Sequence, residues 1–326
     1  MTIEQYLSQI DQGVILLTPP RQRFLQWRRS ANIVIIDGSS GVTVIDSGGT
    51  SLGGLLTTTM KRLYGNKDSQ VYCQHTHGHI DHIAGSSRIV KDLGGSIYAS
   101  RDAVPYVLEQ TPINMNRERP HMVVSFRELF SAPAWFVNGV IRLSMGKGRQ
   151  LSDIHLLEDD PDPGETGFRP IPLPGHHIGH TGFFNDESGV LVAGDLIDPR
   201  HKMKPVLTSP SSKWSEMKNA LETVVALQPK TIIPGHGDPI VGRAEVSSSV
   251  QRAVKTLDDS MDYVTEFIDS RPACLHDLSQ SMIGMGIGPG TVFRNMFIHS
   301  ILAELLRECR VSSHDEGRNK TVFTGS

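Results

Sequence analysis

The chain has 326 residues, enough for one large domain or a domain with an appendage, and its formal net charge is −3. Its 38% hydrophobic and 21% charged residues are typical of a globular protein, and the lack of a basic excess argues against a nucleic-acid partner. Three cysteines far apart, no signal-peptide pattern at the start and no apolar run of membrane length predict a cytoplasmic protein with reduced thiols and no membrane association.

The first hundred residues alternate between predicted strands and helices. Apolar runs predict strands at residues 33–37, 42–46, 71–74 and 96–100, and the glycines and serines of residues 38–41 predict a hairpin between the first two. Helical spacing predicts helices at residues 53–64 and 83–93. This alternation is typical of a layered α/β fold.

Three imidazoles and one carboxylate occur within six residues, between the third strand and the second helix. They belong to His77, His79, Asp81 and His82. Divalent metals accept these nitrogen and oxygen ligands, and Gly78 allows the backbone to turn tightly between them. His77 and His79 can face one side of the turn, and the other two ligands can face another. The spacing therefore predicts two adjacent metal ions.

Residues 101–168 form the least regular part of the sequence, and we interpret them as an insertion. Its apolar and aromatic cluster contains Met122, Phe126, Phe130, Trp135 and Phe136. Long insertions in compact domains are often functional, so this segment is a candidate lid over a substrate site. Local packing, or a contact with a second copy of the chain, would explain the same cluster.

Three further residues that could bind metal follow predicted strands in the second half of the chain. Residues 181–184 and 190–193 predict a hairpin whose outer ends bring His176 near Asp195. His236 follows a strand predicted at residues 231–233, after a helix at residues 213–227. Strand ends lie along one edge of a sheet in layered α/β folds, so we expect these residues to meet the first motif.

Beyond residue 240 the apolar spacing predicts helices at residues 246–268 and 293–305. This part of the sequence carries no metal-binding pattern. We therefore predict a catalytic domain at residues 1–240, including the insertion, and a helical extension at residues 241–326 that packs on it.

The motif from His77 to His82, together with Ala-Gly-Asp at Asp195 and Pro-Gly-His-Gly at His236, resembles the signature of the metallo-β-lactamase superfamily over residues 30–240. The resemblance implies a four-layer αββα sandwich. It implies that one metal is held by His77, His79 and His176, that a second is held by Asp81, His82 and His236, and that Asp195 bridges the two. In this family an aspartate at the position of Asp46 supports the metal loop from behind, although a strand-end turn would equally explain it.

Two divalent ions about 3.5–4 Å apart can share one water and lower its pKa toward neutrality, which supplies a hydroxide nucleophile. Zinc is the expected cofactor, and iron or manganese would accept the same ligands. Besides binding metal, Asp81 can orient the hydroxide as a catalytic residue. His180, four residues after His176, is a second catalytic candidate, near the metal or at the oxyanion, with ordinary hydrogen bonding as the alternative. His177 has no assigned role.

The resemblance also narrows the expected reaction to hydrolysis of a small carboxylic thioester, ester or lactone. Asp195 stands where true zinc β-lactamases typically have cysteine, so hydrolysis of β-lactam antibiotics is not favoured. Diiron flavoproteins have a glutamate where this chain has His79, so the chain does not match that branch either. Asp198 stands where homoserine lactonases commonly place tyrosine, which disfavours that substrate. A mononuclear iron sulfur dioxygenase, a phosphodiesterase or nuclease, and a ligand-binding sensor remain alternatives. A homo-oligomer is compatible with the sequence.

Overall fold

The computed structural model describes residues 3–18, 30–65, 69–145, 148–199, 204–285, 290–317 and 320–325. A 3-10 helix at Ile3–Tyr6 leads into the first sheet, whose seven strands lie side by side in chain order. They are β1 (Leu7–Asp11), β2 (Val14–Leu17), β3 (Ile33–Asp37), β4 (Val42–Ile45), β5 (Val71–Gln74), β6 (Ser96–Ala99) and β7 (His155–Leu156). Strands β1 to β4 are antiparallel and β4 to β7 are parallel. Parallel neighbours need crossovers, and these contain α1 (Thr50–Tyr64), α2 (Ile80–Ile83) and α3 (Ser86–Leu93).

The helix predicted at residues 83–93 starts earlier and is divided in two. Helix α2 begins directly after His79, and α3 begins after Gly85. Gly85 packs on the main chain that follows β4, because a Cβ atom there would lie 2.2 Å from the carbonyl oxygen of Ser47. This break gives α2 an orientation of its own, and α2 carries Asp81 and His82.

The insertion is more helical than the sequence indicated. It contains α4 (Val104–Glu109), α5 (Met115–Glu118), a 3-10 helix at Arg119–His121, α6 (Phe126–Phe130) and α7 (Ala134–Met145). Helices α5 and α6 are preceded by Asn114 and Ser125, whose side chains accept main-chain N–H groups as N-caps. Except for α7, these helices span less than two turns, so they leave little apolar periodicity to detect.

Residues 168–241 contain the second sheet. Their elements are β8 (Phe168–Pro172), β9 (Thr181–Asn185), β10 (Val190–Gly194), the small pair β11 (Ile197–Asp198) and β12 (Lys204–Pro205), α8 (Trp214–Leu227), β13 (Thr231–Pro234) and β14 (Ile240–Val241). Five of these strands pair in the order β14-β13-β10-β9-β8. The predicted hairpin is confirmed as the antiparallel pair β9 and β10.

The predicted helical extension is present, and a small sheet completes it. Its elements are α9 (Arg243–Ser270), β15 (Ala273–Cys274), α10 (Leu275–Ser281), α11 (Thr291–Arg307), β16 (Val311–Asp315) and β17 (Thr321–Gly325). The strands pair in the order β15-β17-β16. Three helices and a three-stranded sheet connected in this order have the topology of a winged helix. Strand β16 has little apolar pattern to reveal it, because only Val311 is buried.

Alternate residues of β3 show how the layers form. Val34 and Ile36 face the second sheet, whereas Ile33 and Ile35 pack with residues of α1, α2 and α3. On the second sheet, Leu191 packs with residues of α8, α9 and α11 on the outer face. The order helix, sheet, sheet, helix is the predicted αββα sandwich. Within the described ranges, no helix combines the length and apolarity needed to cross a membrane.

Candidate metal centre

The loop after β5 carries the first motif, and its main chain is fixed by both sheets. The amide and hydroxyl of Thr76 donate to the two carboxylate oxygens of Asp46, at 2.9 and 2.8 Å. From the second sheet, the amide of Thr181 donates to the Thr76 carbonyl at 2.8 Å. Position and direction of the loop are therefore set before His77, the first candidate ligand.

Three imidazole nitrogens converge where this loop meets the second sheet. His77 Nε2 lies 2.9 Å from His79 Nδ1 and 3.2 Å from His176 Nε2, and the last two atoms are 2.9 Å apart. Ligands that bind one tetrahedral zinc ion at about 2.0–2.1 Å lie about 3.3 Å from each other, so the spacing fits a single ion. Burial and the neighbouring imidazoles lower the pKa of His77 and of His79. Both rings are therefore neutral and can offer a lone pair.

His176 is fixed by a loop that the sequence analysis did not connect with the site. Its Nδ1 donates to the carbonyl of Val206 at 2.7 Å, and its own carbonyl accepts the Ser212 hydroxyl at 2.6 Å. A hydrogen bond at the second ring nitrogen sets the tautomer and orientation of a metal-binding histidine. No residue pattern between Val206 and Ser212 marks this role.

A second set of donor atoms surrounds Asp195. Its Oδ1 lies 3.4 Å from His82 Nε2, and its Oδ2 lies 3.6 Å from His236 Nε2 and 3.7 Å from His176 Nε2. Asp81 Oδ2 lies 3.1 Å from His236 Nε2. All seven residues of the predicted ligand set are thus brought together, and the carboxylate of Asp195 stands between the two clusters.

His82 allows a test of whether a metal fits. Its ring is fully buried and its Nδ1 donates to Asp46 Oδ2 at 2.7 Å, but its Nε2 has no hydrogen-bond partner among the described residues. Burial lowers the pKa of His82, but the carboxylates of Asp46 and Asp195 outweigh it and raise the pKa well above its usual value. Positive charge is therefore favoured at this ring, and a divalent ion at Nε2 would supply it. The clusters could accordingly hold metal ions.

Asp46 supports the centre from behind, the role that the family resemblance implied. Its backbone adopts the left-handed conformation with φ of 60°, which aspartate tolerates better than most residues. Burial opposes ionisation, yet His82 and His75 together hold the pKa of Asp46 below its usual range. The charged carboxylate accepts hydrogen bonds from Thr76 and His82 at once, and so couples the loop to a candidate ligand.

His180 lies outside both clusters. Its Nδ1 donates to the carbonyl of Leu173 at 2.8 Å, and its Nε2 accepts the amide of Asp195 at 3.1 Å. Main-chain groups thus occupy both ring nitrogens of this buried residue. This arrangement favours a role in positioning Asp195 over direct contact with a substrate. The catalytic role predicted for His180 stays a prediction.

The insertion reaches the metal loop through Tyr106 on α4. The Tyr106 ring packs edge-on against His177 at a centroid distance of 4.5 Å, and His177 packs against His79 at 4.6 Å. Only glycine fits at Gly78, because a Cβ atom there would lie 2.3 Å from the Cβ of Tyr106. His177, which had no role in the sequence analysis, therefore separates the insertion from a candidate ligand.

The predicted lid cluster is divided between core and surface. Phe130 is buried, and Met122 and Phe126 are partly buried against the core that contains α11. In contrast, Trp135 and Phe136 on α7 are 76% and 50% exposed. The start of the insertion thus contacts the metal loop, whereas the two aromatic residues of α7 are exposed. Its function as a lid stays a prediction.

Helix α5 ends in a buried carboxyl group that sequence reasoning did not identify. The Oε2 of Glu118 has no hydrogen-bond partner among the described residues. Burial raises the pKa of Glu118 to about 7, although the nearby Ser211 and Ser209 oppose the shift. A carboxyl that is protonated below neutrality therefore lies between the insertion and the loop that fixes His176.

Replacing Glu118 by glutamine is expected to stabilise the protein above pH 7 and to change little below pH 5. The carboxyl titrates near 4.5 in the unfolded chain and near 7 in the folded protein. Between these values only the unfolded state loses its proton, so wild-type stability should fall by up to about 3 kcal/mol as the pH rises. Urea unfolding at pH 5, 6, 7 and 8 would measure the difference. The exposed Glu266, changed to glutamine, is the matched control, and parallel pH profiles for wild type and Glu118→Gln would contradict the expectation.

Similarity to known proteins agrees with this geometry. Residues 27–236 match the family model of the Metallo-beta-lactamase superfamily. The probable metallo-hydrolase YflN of Bacillus subtilis (strain 168) is 26% identical over 214 residues, which cover 61% of this chain and 76% of YflN. The hydroxyacylglutathione hydrolase GloC of Haemophilus influenzae is 26% identical over 123 residues, which cover 37% of this chain and 47% of GloC.

The fold agrees as well. The crystal structure of the metallo-beta-lactamase family protein TTHA1429 from Thermus thermophilus aligns with a TM-score of 0.68 at 18% identity, over 98% of this chain and all of that one. The matched residues 27–236 include every clustered residue from His77 to His236. The chain therefore belongs to the metallo-beta-lactamase superfamily of metal-dependent hydrolases.

Proposed function

We propose that this protein is a binuclear hydrolase that cleaves a small carboxylic thioester, ester or lactone. The observation that carries the proposal is the position of Asp195, whose oxygens lie 3.4–3.7 Å from nitrogens of both histidine clusters. Two divalent ions held there would activate a water near neutral pH and polarise the acyl oxygen of the substrate. We propose zinc, and iron or manganese would suit the same nitrogen and oxygen ligands.

Asp81 is the residue that we assign to the proton of the attacking water. Its side chain keeps 14% exposure and lies 3.1 Å from His236 Nε2, at the edge of the second cluster. Burial opposes its ionisation, but the hydrogen bond with His236 and the charge of His82 lower the pKa of Asp81. The ionised carboxylate can orient a water by accepting its hydrogen bond, and can then take up its proton.

Charge and similarity favour an acyl substrate over a phosphodiester. The net charge of −3 provides no excess of basic residues for a polyanion. GloC, to which part of the chain is similar, has a name that describes hydrolysis of an acylglutathione. Thioesters, esters and lactones make one common demand, which is attack at an acyl carbon with stabilisation of an oxyanion. We therefore assign the substrate to this class as a whole.

A substrate panel with metal-loaded protein tests the proposal. An acylglutathione, a p-nitrophenyl ester and a γ-lactone represent the proposed class, and bis-p-nitrophenyl phosphate and glutathione persulfide represent a nuclease and a dioxygenase. We expect turnover of at least one acyl substrate, and background rates for His77→Ala. Dominant phosphodiester cleavage, or oxygen uptake with the persulfide, would overturn the proposal. Two bound metals without turnover of any substrate would indicate a sensor.

The reconstituted protein is expected to bind about two metal ions per chain, since Asp195 lies between two groups of three residues that could each hold an ion. Elemental analysis after removal of free metal gives the number directly. His79→Ala and Asp81→Ala, one change in each cluster, should each lower it toward one. A wild-type value of one that Asp81→Ala leaves unchanged would contradict the binuclear site.

A further inference from the structure

Helix α11 has a buried polar face that is directed at the insertion. Asn295 and His299 lie one helical turn apart and are both buried. The side-chain amide of Asn295 donates to the carbonyl of Leu129 at 3.1 Å. The amide of Val123 donates to His299 Nε2 at 3.0 Å. One bond holds the main chain before α6, at Val123, and the other holds the main chain within α6, at Leu129, so they define its position independently of its side chains.

The ring of His299 is in the form that this contact needs. Burial, with His121 nearby, lowers the pKa of His299 to about 4, so the ring is neutral at physiological pH. With Nε2 accepting the amide of Val123, the proton is on Nδ1, which has no hydrogen-bond partner among the described residues. Burying a polar ring with one unpaired nitrogen costs free energy, so the hydrogen bond to Val123 explains the burial of His299 better than packing alone.

Further contacts tie the same part of the insertion to the extension. Leu129 and Phe130 of α6 belong to the apolar core that contains Phe297 and Leu302 of α11. The amide and hydroxyl of Thr321 on β17 each lie 3.4 Å from an oxygen of the Glu128 carboxylate. The extension therefore contacts α6 through α11 and through its sheet.

The orientation of α11 separates two uses of a winged helix. In helix-turn-helix modules that read DNA, the second helix of the pair is exposed and enters the major groove. Here the second helix of the pair α10 and α11 is buried along residues 295–302 and again at residues 304 and 305. Its polar residues Asn295 and His299 are used within the molecule, on the insertion.

The start of the insertion lies at the metal centre, where Tyr106 packs on His177 and above Gly78. We propose that α11 positions the insertion beside the metal centre, with His299 and Asn295 as positioning residues that set substrate affinity. The inference rests on the proposed function only in assuming that a substrate binds beside Tyr106. The extension is then part of the substrate-binding apparatus, although it contributes no metal ligand among the described residues.

The experiment compares His299→Leu and Asn295→Leu with two controls. His299→Gln retains an acceptor for the amide of Val123, and Phe293→Ala changes an exposed residue of the same helix. We expect the leucine variants to raise KM about tenfold, with kcat within threefold and metal content unchanged. Glutamine at position 299 should restore KM, and Phe293→Ala should behave as wild type. An unchanged KM, or a loss of metal together with kcat, would overturn the proposal.

Hydrogen exchange of the metal-loaded protein, without substrate, separates this inference from the proposed function. The leucine variants should exchange amides of residues 104–130 at least about tenfold faster, while β5 and β10 keep their protection. Faster exchange confined to α11 would overturn the anchoring role whatever the substrate is. If a leucine variant fails to fold, Thr321→Val takes its place, since it removes the hydroxyl that contacts Glu128. Its amides at residues 123–130 should exchange faster than those of His299→Gln, and identical protection in the two variants would count against the proposal. The expected faster exchange in the leucine variants, combined with no turnover of any substrate by the wild type, would instead reject the proposed function and leave the anchoring role in place.

Discussion

Replacing His176 by alanine is expected to empty the first cluster and to lower kcat/KM by roughly 1000-fold or more, because several kcal/mol of charge stabilisation are lost with the metal. The variant removes one of three nitrogens that lie 2.9–3.2 Å from each other. His77 and His79 alone leave two protein nitrogens for that ion. Metal analysis and steady-state kinetics measure both effects on the same preparation.

His180→Ala is the matched comparison, since His180 lies on the same segment and is equally buried. Its loss removes the acceptor of the Asp195 amide, and no candidate ligand atom is removed. About two metals should remain, and kcat should fall by roughly 10- to 100-fold, the scale for groups that orient metal ligands. If His180→Ala loses metal while His176→Ala keeps it, the ligand assignment of this segment is wrong by four residues.

Asp46→Ala is expected to destabilise the protein more than any other single change among the residues that support the metal loop. It removes the carboxylate that accepts hydrogen bonds from the amide and hydroxyl of Thr76 and from the Nδ1–H of His82 in a buried site. Removing one partner of a buried ion pair costs about 3–5 kcal/mol. Affinity for the metal of the second cluster should also fall by about 10- to 100-fold, because His82 is no longer oriented.

Asp46→Asn removes the negative charge of the side chain but keeps a residue that tolerates the backbone conformation, so it separates these two contributions of Asp46. Asparagine also tolerates the left-handed conformation at this position and keeps one oxygen for the amide of Thr76. We expect a smaller loss of stability, with most of the loss in metal affinity retained. Urea unfolding of the metal-free variants and competition titration of the loaded ones would show this. If Asp46→Ala and Asp46→Asn both keep the stability and the metal affinity of the wild type, Asp46 is only a turn residue at the end of its strand.

Much of the sandwich could be predicted because its central strands are buried on both faces. Strand β3, for example, presents apolar residues to both sides, which gives a continuous apolar run in the sequence. The convergence of His77, Asp195 and His236 could be predicted because each follows a strand that ends at the same side of the sandwich. The end of a strand and the type of a metal-binding residue can both be recognised from a short stretch of sequence.

The remaining features depend on contacts between distant segments. The bonds of His176 with Val206 and Ser212 join a candidate ligand to a loop about thirty residues away, and neither partner is of an unusual residue type. The hairpin of β1 and β2 was missed because β1 is short and partly exposed. His299 is buried where the extension contacts the insertion, and Glu118 is buried where the insertion contacts the loop of Ser209 and Ser211. No periodicity within any of these segments encodes such contacts.

The candidate ligands come from both sheets, which has a consequence for the life of the protein in a cell. His77 and His82 follow β5 of the first sheet, whereas Asp195 and His236 follow β10 and β13 of the second. An ion in either cluster would therefore bind residues from both sheets and hold the two halves of the sandwich together. When free metal exceeds Kd a thousandfold, one site adds about 4 kcal/mol to the free energy of unfolding. Chains made during metal shortage would open more often and reach proteases sooner, so the supply of metal would set the abundance of this protein as well as its activity.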